Sequence, residues 1–286
     1  MIRLGLIGDP VSHSRSPELH TAAFSAAGLR GQYLCHRMTH ASVETEVSAL
    51  WSQGYQGLNV TLPLKVAATK LCDSVSDVAA RAGAVNTLHR RVDGSVHGTN
   101  TDVDGAVGSL CAAGVTLMDA QVLIVGAGGA ARAIAVGLLD AGAQRVTLAN
   151  RTASRAELLV KELNESRLDM LPLESDALRR ICPSLVVNAT TVGLGYLEPP
   201  SEAAVQWFQT LPFHEWGPVF GYDLMYSRCH HAGIAGWTPF LHVVGANGGS
   251  TLDGWDMLRR QAALSFSLWT DTDMGSVYRA MSKVSR

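Results

Sequence analysis

Short apolar runs alternate with stretches of helical period along almost the whole chain, the pattern of strands each followed by a helix. Residues 3–7 read as a first buried strand rather than a signal peptide, because the run is short and flanked by glycine. Residues 17–27 predict a helix closed by Gly28, 32–37 a strand, 43–53 a helix, and 57–61 a strand ending at Pro63. A helix follows over 76–82, then a hairpin that starts at 84–91 and turns at Asp93–Gly94. From 104 to 113 a helix leads into a fresh alternation: strand 121–125, helix 130–141, strand 145–149, helix 153–163, and strands 185–188 and 219–223. A long apolar-rich helix over 253–270 carries a polar tail behind it. This repeat predicts an α/β chain of two domains with a mostly parallel sheet and no floppy linker.

Composition narrows the class. The 286 residues are 47% hydrophobic and 17% charged, below the usual charged share of about 25%, which excludes a disordered chain. A chain of this length buries a core without disulfide or metal staples. Twenty-three basic residues against twenty-five acidic ones leave a net charge of −2, so no basic field is available for nucleic acid. No apolar run reaches the roughly 18–20 residues of a membrane helix. The cysteines at 35, 72, 111, 182 and 229 form no CxxC pair. That pattern reads as reduced thiols in a cytoplasmic protein, with no metal site.

The run 122–125 enters Gly126-Ala127-Gly128-Gly129-Ala130 and a helix. This is the dinucleotide fingerprint: a tight turn, a glycine that lets pyrophosphate approach the backbone, and free N–H groups at a helix start. An NAD site places a carboxylate near the end of the next strand, but this chain has Asn150-Arg151-Thr152, with Arg155 following. Arg151 can pair with a ribose 2′-phosphate, which selects NADP.

Polar residues also cluster at strand ends of the first half. Ser14 and Ser16 precede Pro17; Ser16 reads as a helix cap, and the two hydroxyls also suit a small carboxylate. Thr61 and Lys65 follow the third strand, where open α/β sheets place ligands. Asn86 and the Asn100-Thr101-Asp102 turn stand at the edges of apolar runs.

The blocks SHSRSP, NVTLPLK, GAVNTL, NTD, GAGGAAR, NRT, NAT, YDLMY and DGWDMLRRQA stand in the order found in shikimate dehydrogenases, from Ile7 to about Gln261. The chain resembles the NADP-dependent members of the shikimate/quinate dehydrogenase family. The resemblance implies a substrate-binding and catalytic domain over residues 1–104, completed by C-terminal helices within 245–286. A Rossmann-type NADP-binding domain with a parallel sheet would occupy 105–244. It implies reversible, NADP-dependent reduction of 3-dehydroshikimate to shikimate in chorismate and aromatic amino-acid biosynthesis, with Lys65 and Asp102 as the catalytic pair. Ser14 and Ser16 would hold the carboxylate, and Thr61, Lys65, Asn86, Asp102, Tyr226 and Gln261 would take ring hydroxyls or line the site. Cofactor contacts would fall on Asp77, Gly126, Ala127, Gly128, Gly129, Ala130, Asn150, Arg151, Thr152, Arg155, Ala189, Thr190, Leu224 and Gly254. A monomer and a homodimer both remain open as assemblies.

The chain departs from the family pattern in two places. Eleven residues, 227–237, separate Tyr226 from Thr238-Pro239, where relatives use a few. Residues 196–219, with Trp207, Phe208 and Trp216, are also unlike the family and are expected at the edge of the cofactor domain. These departures bear on substrate choice, so a quinate/shikimate or aminoshikimate-type paralogue is the alternative. Ser16, where quinate enzymes commonly carry threonine, and Arg151, where they often carry an acid, favour shikimate with NADP.

Overall fold

The computed structural model describes residues 1–192, 202–226, 230–231, 234–235 and 238–285. In chain order the elements begin β1 (Ile2–Gly8), α1 (Ser16–Ala26), β2 (Gly31–Arg37), α2 (Val43–Ser52), β3 (Gly57–Val60), β4 (Ser74–Val75), α3 (Asp77–Ala82), β5 (Thr87–Arg90), β6 (Val96–Thr99) and α4 (Thr101–Ala112). They continue β7 (Gln121–Val125), α5 (Gly129–Asp140), β8 (Arg145–Asn150), α6 (Ala153–Leu163), β9 (Leu168–Pro172), α7 (Ser175–Leu178), β10 (Leu185–Asn188), α8 (Glu202–Gln209), α9 (Phe213–Trp216) and β11 (Phe220–Asp223). The chain ends β12 (His230–His231), β13 (Ile234–Ala235), α10 (Pro239–Ala246), β14 (Ser250–Leu252), α11 (Trp255–Thr270) and α12 (Met274–Met281). No described helix is long and apolar enough to cross a membrane.

The chain divides into two compact units: 1–105 with 258–285, and 106–257. Residues 245–257, expected with the first domain, belong to the second unit. The reason is local, since β14 pairs in parallel with β11 and extends the second sheet.

The first unit holds a six-stranded sheet in the order β2-β1-β3-β5-β6-β4. β1 is parallel to β2 and β3, and the β5–β6 hairpin joins antiparallel to β3. The hairpin strand starts at Thr87 rather than Ala84, because residues 84–86 leave the ladder: the Val85 N–H donates to the Lys65 carbonyl at 2.8 Å. Ile7, Leu58, Val60, Leu64, Val85 and Leu88 fill the core of this unit. The segment after α11, expected as a polar tail, folds as α12. It buries Val277 and Met281, with Asp273 capping the Ser276 N–H at 2.7 Å.

His20 on α1 is fully buried and lies flat against Tyr33, with ring centroids 4.0 Å apart. Burial lowers its pKa from 6.5 to about 3, and the nearby Asn59 side chain offsets the shift only in part. A depressed histidine pKa means that the folded state holds the neutral ring. This stabilisation is complete above pH 6.5 and is lost as pH falls toward 3. One unit below the unfolded value the loss is about 1.4 kcal/mol. Urea unfolding at pH 7.5 and 5.5 is therefore expected to show the native chain losing about 1.4 kcal/mol more than His20→Phe; equal losses would refute the assignment.

The main sheet of the second unit has six described strands, all parallel, in the order β14-β11-β10-β7-β8-β9. The central strands are buried on both sides, which explains their unbroken apolar runs. One core contains Ile124, Val187, Ile134 and Leu138. The other contains Leu123, Val186, Phe208, Phe213 and Phe240. Phe208 and Phe213 thus lie in a core shared with central strands, which corrects the expectation that 196–219 packs at an edge. Residues 196–201 of that stretch lie outside the described residues. So does the insertion at 227–237, apart from the two-residue strands β12 and β13, which pair antiparallel.

Candidate active site

In the first unit, β1 and β3 end side by side, and the polar residues of the sequence motifs follow their last residues. Ser16 is not the helix cap that the sequence suggested. α1 already begins there, Arg15 takes the cap position, and no side chain caps the helix. Instead the Ser14 hydroxyl donates to Ser16 Oγ at 3.1 Å, and the Ser16 N–H donates to Ser14 Oγ at 3.2 Å. Two hydroxyls are thereby held together beside the first turn of an eleven-residue helix, a setting suited to a carboxylate. Thr61 is half-buried; its N–H donates to the Ile7 carbonyl at 2.9 Å, which pins it beside the end of β1.

Lys65 Nζ lies 2.6 Å from Asp102 Oδ2, with side-chain exposures of 16% and 6%. The Asn100 side chain fixes the carboxylate's backbone, because its Oδ1 accepts the Asp102 N–H at 3.1 Å while its Nδ2 donates to the Ala84 carbonyl at 2.9 Å. Asn86 is buried; its Oδ1 accepts the Thr101 N–H at 2.8 Å and its Nδ2 donates to Thr101 Oγ1 at 3.0 Å. Lys65 and Asp102 are therefore paired directly, and Asn86 is joined to them through Thr101, the residue before Asp102. Half-exposed ion pairs contribute little, but this pair is mostly out of water, where removing one partner leaves a charge uncompensated.

Beneath the cluster lies a network that the sequence did not reveal. Asn59 Nδ2 donates to Ser265 Oγ at 2.9 Å and to Thr87 Oγ1 at 3.1 Å, and its Oδ1 accepts the Tyr33 hydroxyl at 2.8 Å. Ser265 donates to the Gln261 carbonyl at 2.9 Å, one turn back on α11, which couples buried Gln261 to the sheet. The available signal was a serine on the apolar face of a helix, four residues after a buried glutamine.

In the second unit the fingerprint has the expected form. Gly126 follows β7 with φ +125°, and a Cβ there would meet the Ala189 carbonyl oxygen at 2.8 Å. Glycine alone lets the turn after β7 pass the turn after β10. This is where the strand order reverses, β8 lying on one side of β7 and β10 on the other, and such crevices hold ligands. Gly128, by contrast, faces open space where a Cβ would point. Its lack of a side chain serves no packing and leaves the start of α5 open to a pyrophosphate. Ala127 and Ala130 are half-buried, and Gly129 is the first residue of α5.

Asn150 ends β8, and its Nδ2 donates to the Thr152 carbonyl at 2.9 Å. Arg151 and Arg155 are exposed beside it, and among the described residues neither pairs with a carboxylate. After β10, the Asn188 Oδ1 accepts the Thr190 N–H at 3.1 Å and the Thr190 hydroxyl at 2.7 Å, which sets the Ala189–Thr190 turn. The Gly254 N–H donates to the Met225 carbonyl at 2.9 Å, and a Cβ at 254 would strike the Leu224 carbonyl. Half-buried Tyr226 lies with its ring centroid 5.5 Å from that of Trp255. These cofactor-type groups fit a phosphorylated dinucleotide: an open glycine cradle, free helix N–H groups and unpaired arginines.

Asp77 is the exception. It lies in the first unit, exposed in the first turn of α3 behind the Ser76 cap, where an acid suits the helix end by itself.

Residues 6–88 match the shikimate dehydrogenase substrate binding domain, and residues 110–191 match the shikimate/quinate 5-dehydrogenase family. A shikimate dehydrogenase (NADP(+)) of Caulobacter vibrioides is 38% identical over 266 residues, covering 92% of this chain and 87% of that protein. The crystal structure of shikimate 5-dehydrogenase from Thermus thermophilus in complex with NADP(H) and shikimate aligns with a TM-score of 0.79 and 35% identity, over 99% of each chain. The ligand-free 5-ketofructose reductase of a Gluconobacter species aligns with a TM-score of 0.74 and 28% identity, over 98% of each chain.

Proposed function

The chain belongs to the shikimate dehydrogenase family, and on that premise we propose that it interconverts 3-dehydroshikimate and shikimate with NADP(H), a step toward chorismate and the aromatic amino acids. The observation that carries the proposal is the Lys65–Asp102 pair at 2.6 Å, intact and mostly buried.

The assigned roles follow the chemistry of each group. The paired hydroxyls of Ser14 and Ser16 hold the substrate carboxylate. Thr61, Asn86, Tyr226 and Gln261 hold ring hydroxyls or line the site. The Lys65 ammonium stands at the ketone oxygen and gives it a proton from Nζ as negative charge develops there. In the oxidative direction the neutral amine takes that proton back. The Asp102 carboxylate holds Nζ and accepts a neighbouring ring hydroxyl, so lysine and substrate share one anchor.

NADPH, when bound, supplies the hydride. Gly126, Ala127, Gly128, Gly129 and Ala130 receive its pyrophosphate, Asn150, Arg151, Thr152 and Arg155 its 2′-phosphate and adenosine, and Ala189, Thr190, Leu224 and Gly254 the rest. Asp77 is retained as a further cofactor contact. The cysteines described at 35, 72, 111 and 182 are free thiols, which suits a cytoplasmic setting.

The test is NADPH formation with shikimate, run beside quinate and beside NAD. Shikimate with NADP is expected to exceed each alternative by at least about tenfold in kcat/KM, a difference of one well-placed polar contact. Preference for quinate, or turnover of neither acid, would overturn the substrate assignment.

A further inference from the structure

β11 is an apolar strand that ends in a carboxylate, Asp223, only 1% exposed. A carboxylate so far from water must be paired, hydrogen-bonded or neutralised. Among the described residues it makes no ion pair, so hydrogen bonds and neutralisation share the burden. Asn188 Nδ2 donates to its Oδ1 at 2.9 Å, and the Met225 N–H donates to the same oxygen at 3.0 Å. The Thr238 hydroxyl donates to Oδ2 at 2.6 Å, while Thr238 Oγ1 accepts the Leu241 N–H at 3.2 Å and so caps α10. Burial, helped by the charge of Asp253, raises the Asp223 pKa to about 7.

The three donors come from three separate pieces of chain. Asn188 sits at the end of β10 and sets the Ala189–Thr190 turn. Met225 lies in the short segment that presents Leu224 and Tyr226. Thr238 is where the chain returns after residues 227–237. The two carboxyl oxygens divide this work, Oδ1 serving 188 and 225, and Oδ2 serving 238.

We propose that Asp223 is a positioning residue, whose carboxyl group ties Met225 to Thr238 across the 227–237 insertion and so fixes the backbone carrying Leu224 and Tyr226. This rests on the proposed function, which assigns Leu224 to the cofactor and Tyr226 to the substrate. Both protonation states support the clamp. The ionised group accepts from Thr238, and the protonated group donates from Oδ2 to Thr238 Oγ1 while Oδ1 keeps its two donors. An asparagine reproduces the second arrangement, and an alanine leaves three buried donors without an acceptor.

The experiment compares Asp223→Asn, Asp223→Ala, Thr238→Val and Thr238→Ser by steady-state kinetics, by thermal melting and by trypsin cleavage at Arg228. Arg228 is the one lysine or arginine between positions 224 and 238. Thr238→Val is expected to raise both KM values, that for shikimate about tenfold and that for NADP at least about threefold, and to speed cleavage at least about fivefold. Thr238→Ser, which keeps the hydroxyl, is expected to recover all of these, and Asp223→Asn to stay within about threefold. If Asp223→Ala does not fold, the Thr238 pair decides. A Thr238→Val protein that melts lower yet keeps native KM values and a native cleavage rate would overturn the proposal. If the native chain does not oxidise shikimate, the functional assignment fails, and cleavage alone judges the clamp: equal rates for Thr238→Val and Thr238→Ser would overturn it.

Discussion

Lys65→Ala is expected to lower kcat for shikimate oxidation about a thousandfold while the shikimate KM stays within about fivefold. Two losses combine. The proton no longer has a positioned carrier, which costs about 10²–10⁴ in rate, and the developing alkoxide loses its nearest cation. Binding survives because the carboxylate is assigned to Ser14 and Ser16, away from the deleted group. The variant also strands the Asp102 carboxylate, only 6% exposed, without its cation, so a lower melting temperature is expected as well. NADP binding, assigned entirely to the second unit apart from Asp77, serves as the control for folding. Asp102→Asn separates the terms further, since it keeps the lysine but weakens its anchor. Near-native turnover by Lys65→Ala in a protein that still binds NADP would remove the mechanistic core of the proposal.

What could be read from the sequence follows from what each segment buries. Strands buried on both faces are continuous apolar runs, so β7 and β10 stand at the residues expected, and α6 does too, because its buried Ala156 and Leu159 keep helical spacing. β9 was missed because it is an edge strand, Leu-Asp-Met-Leu-Pro, with only Leu168 buried and a terminal proline that an interior strand would not carry. α12 was missed because the charge and hydroxyls of the tail hide an apolar pair, Val277 and Met281, four residues apart.

The site shows the same division. Glycines and charged residues at strand ends announce chemistry, since an open sheet places ligands there. Asn59 and Ser265 give no such sign, because each sits inside an apolar segment and acts through partners distant in sequence; Asp223 does end a strand, but its partners at 188 and 238 are just as distant. The cap reading of Ser16 fails for a related reason, whereas its reading as a carboxylate-binding hydroxyl does not. Helix-cap rules name the residue type at a helix start, but the hydroxyl here was already engaged by Ser14.

Arg151→Asp is expected to reverse the cofactor choice, lowering kcat/KM with NADP about a hundredfold and raising it with NAD. The 2′-phosphate carries close to two negative charges at neutral pH, and a guanidinium meets it with two parallel hydrogen bonds. An aspartate at the end of β8 turns that attraction into repulsion, and it offers the acceptor that a ribose 2′-hydroxyl needs. The scaffold should tolerate the exchange. Arg151 is exposed, it pairs with no carboxylate among the described residues, and the neighbouring Asn150 to Thr152 bond at 2.9 Å does not involve its side chain. Exposure also sets a second expectation. An attraction in water is screened by salt, so the native KM for NADP should rise between about 0.05 and about 0.5 M salt, whereas that for NAD should barely move. Arg155, in the first turn of α6, provides a weaker second cation, so Arg151→Asp with Arg155→Ala should exceed the single variant. An unchanged ratio of kcat/KM for NADP and NAD would show that these arginines are ordinary surface charges, and selection of the 2′-phosphate would have to come from elsewhere on the second unit.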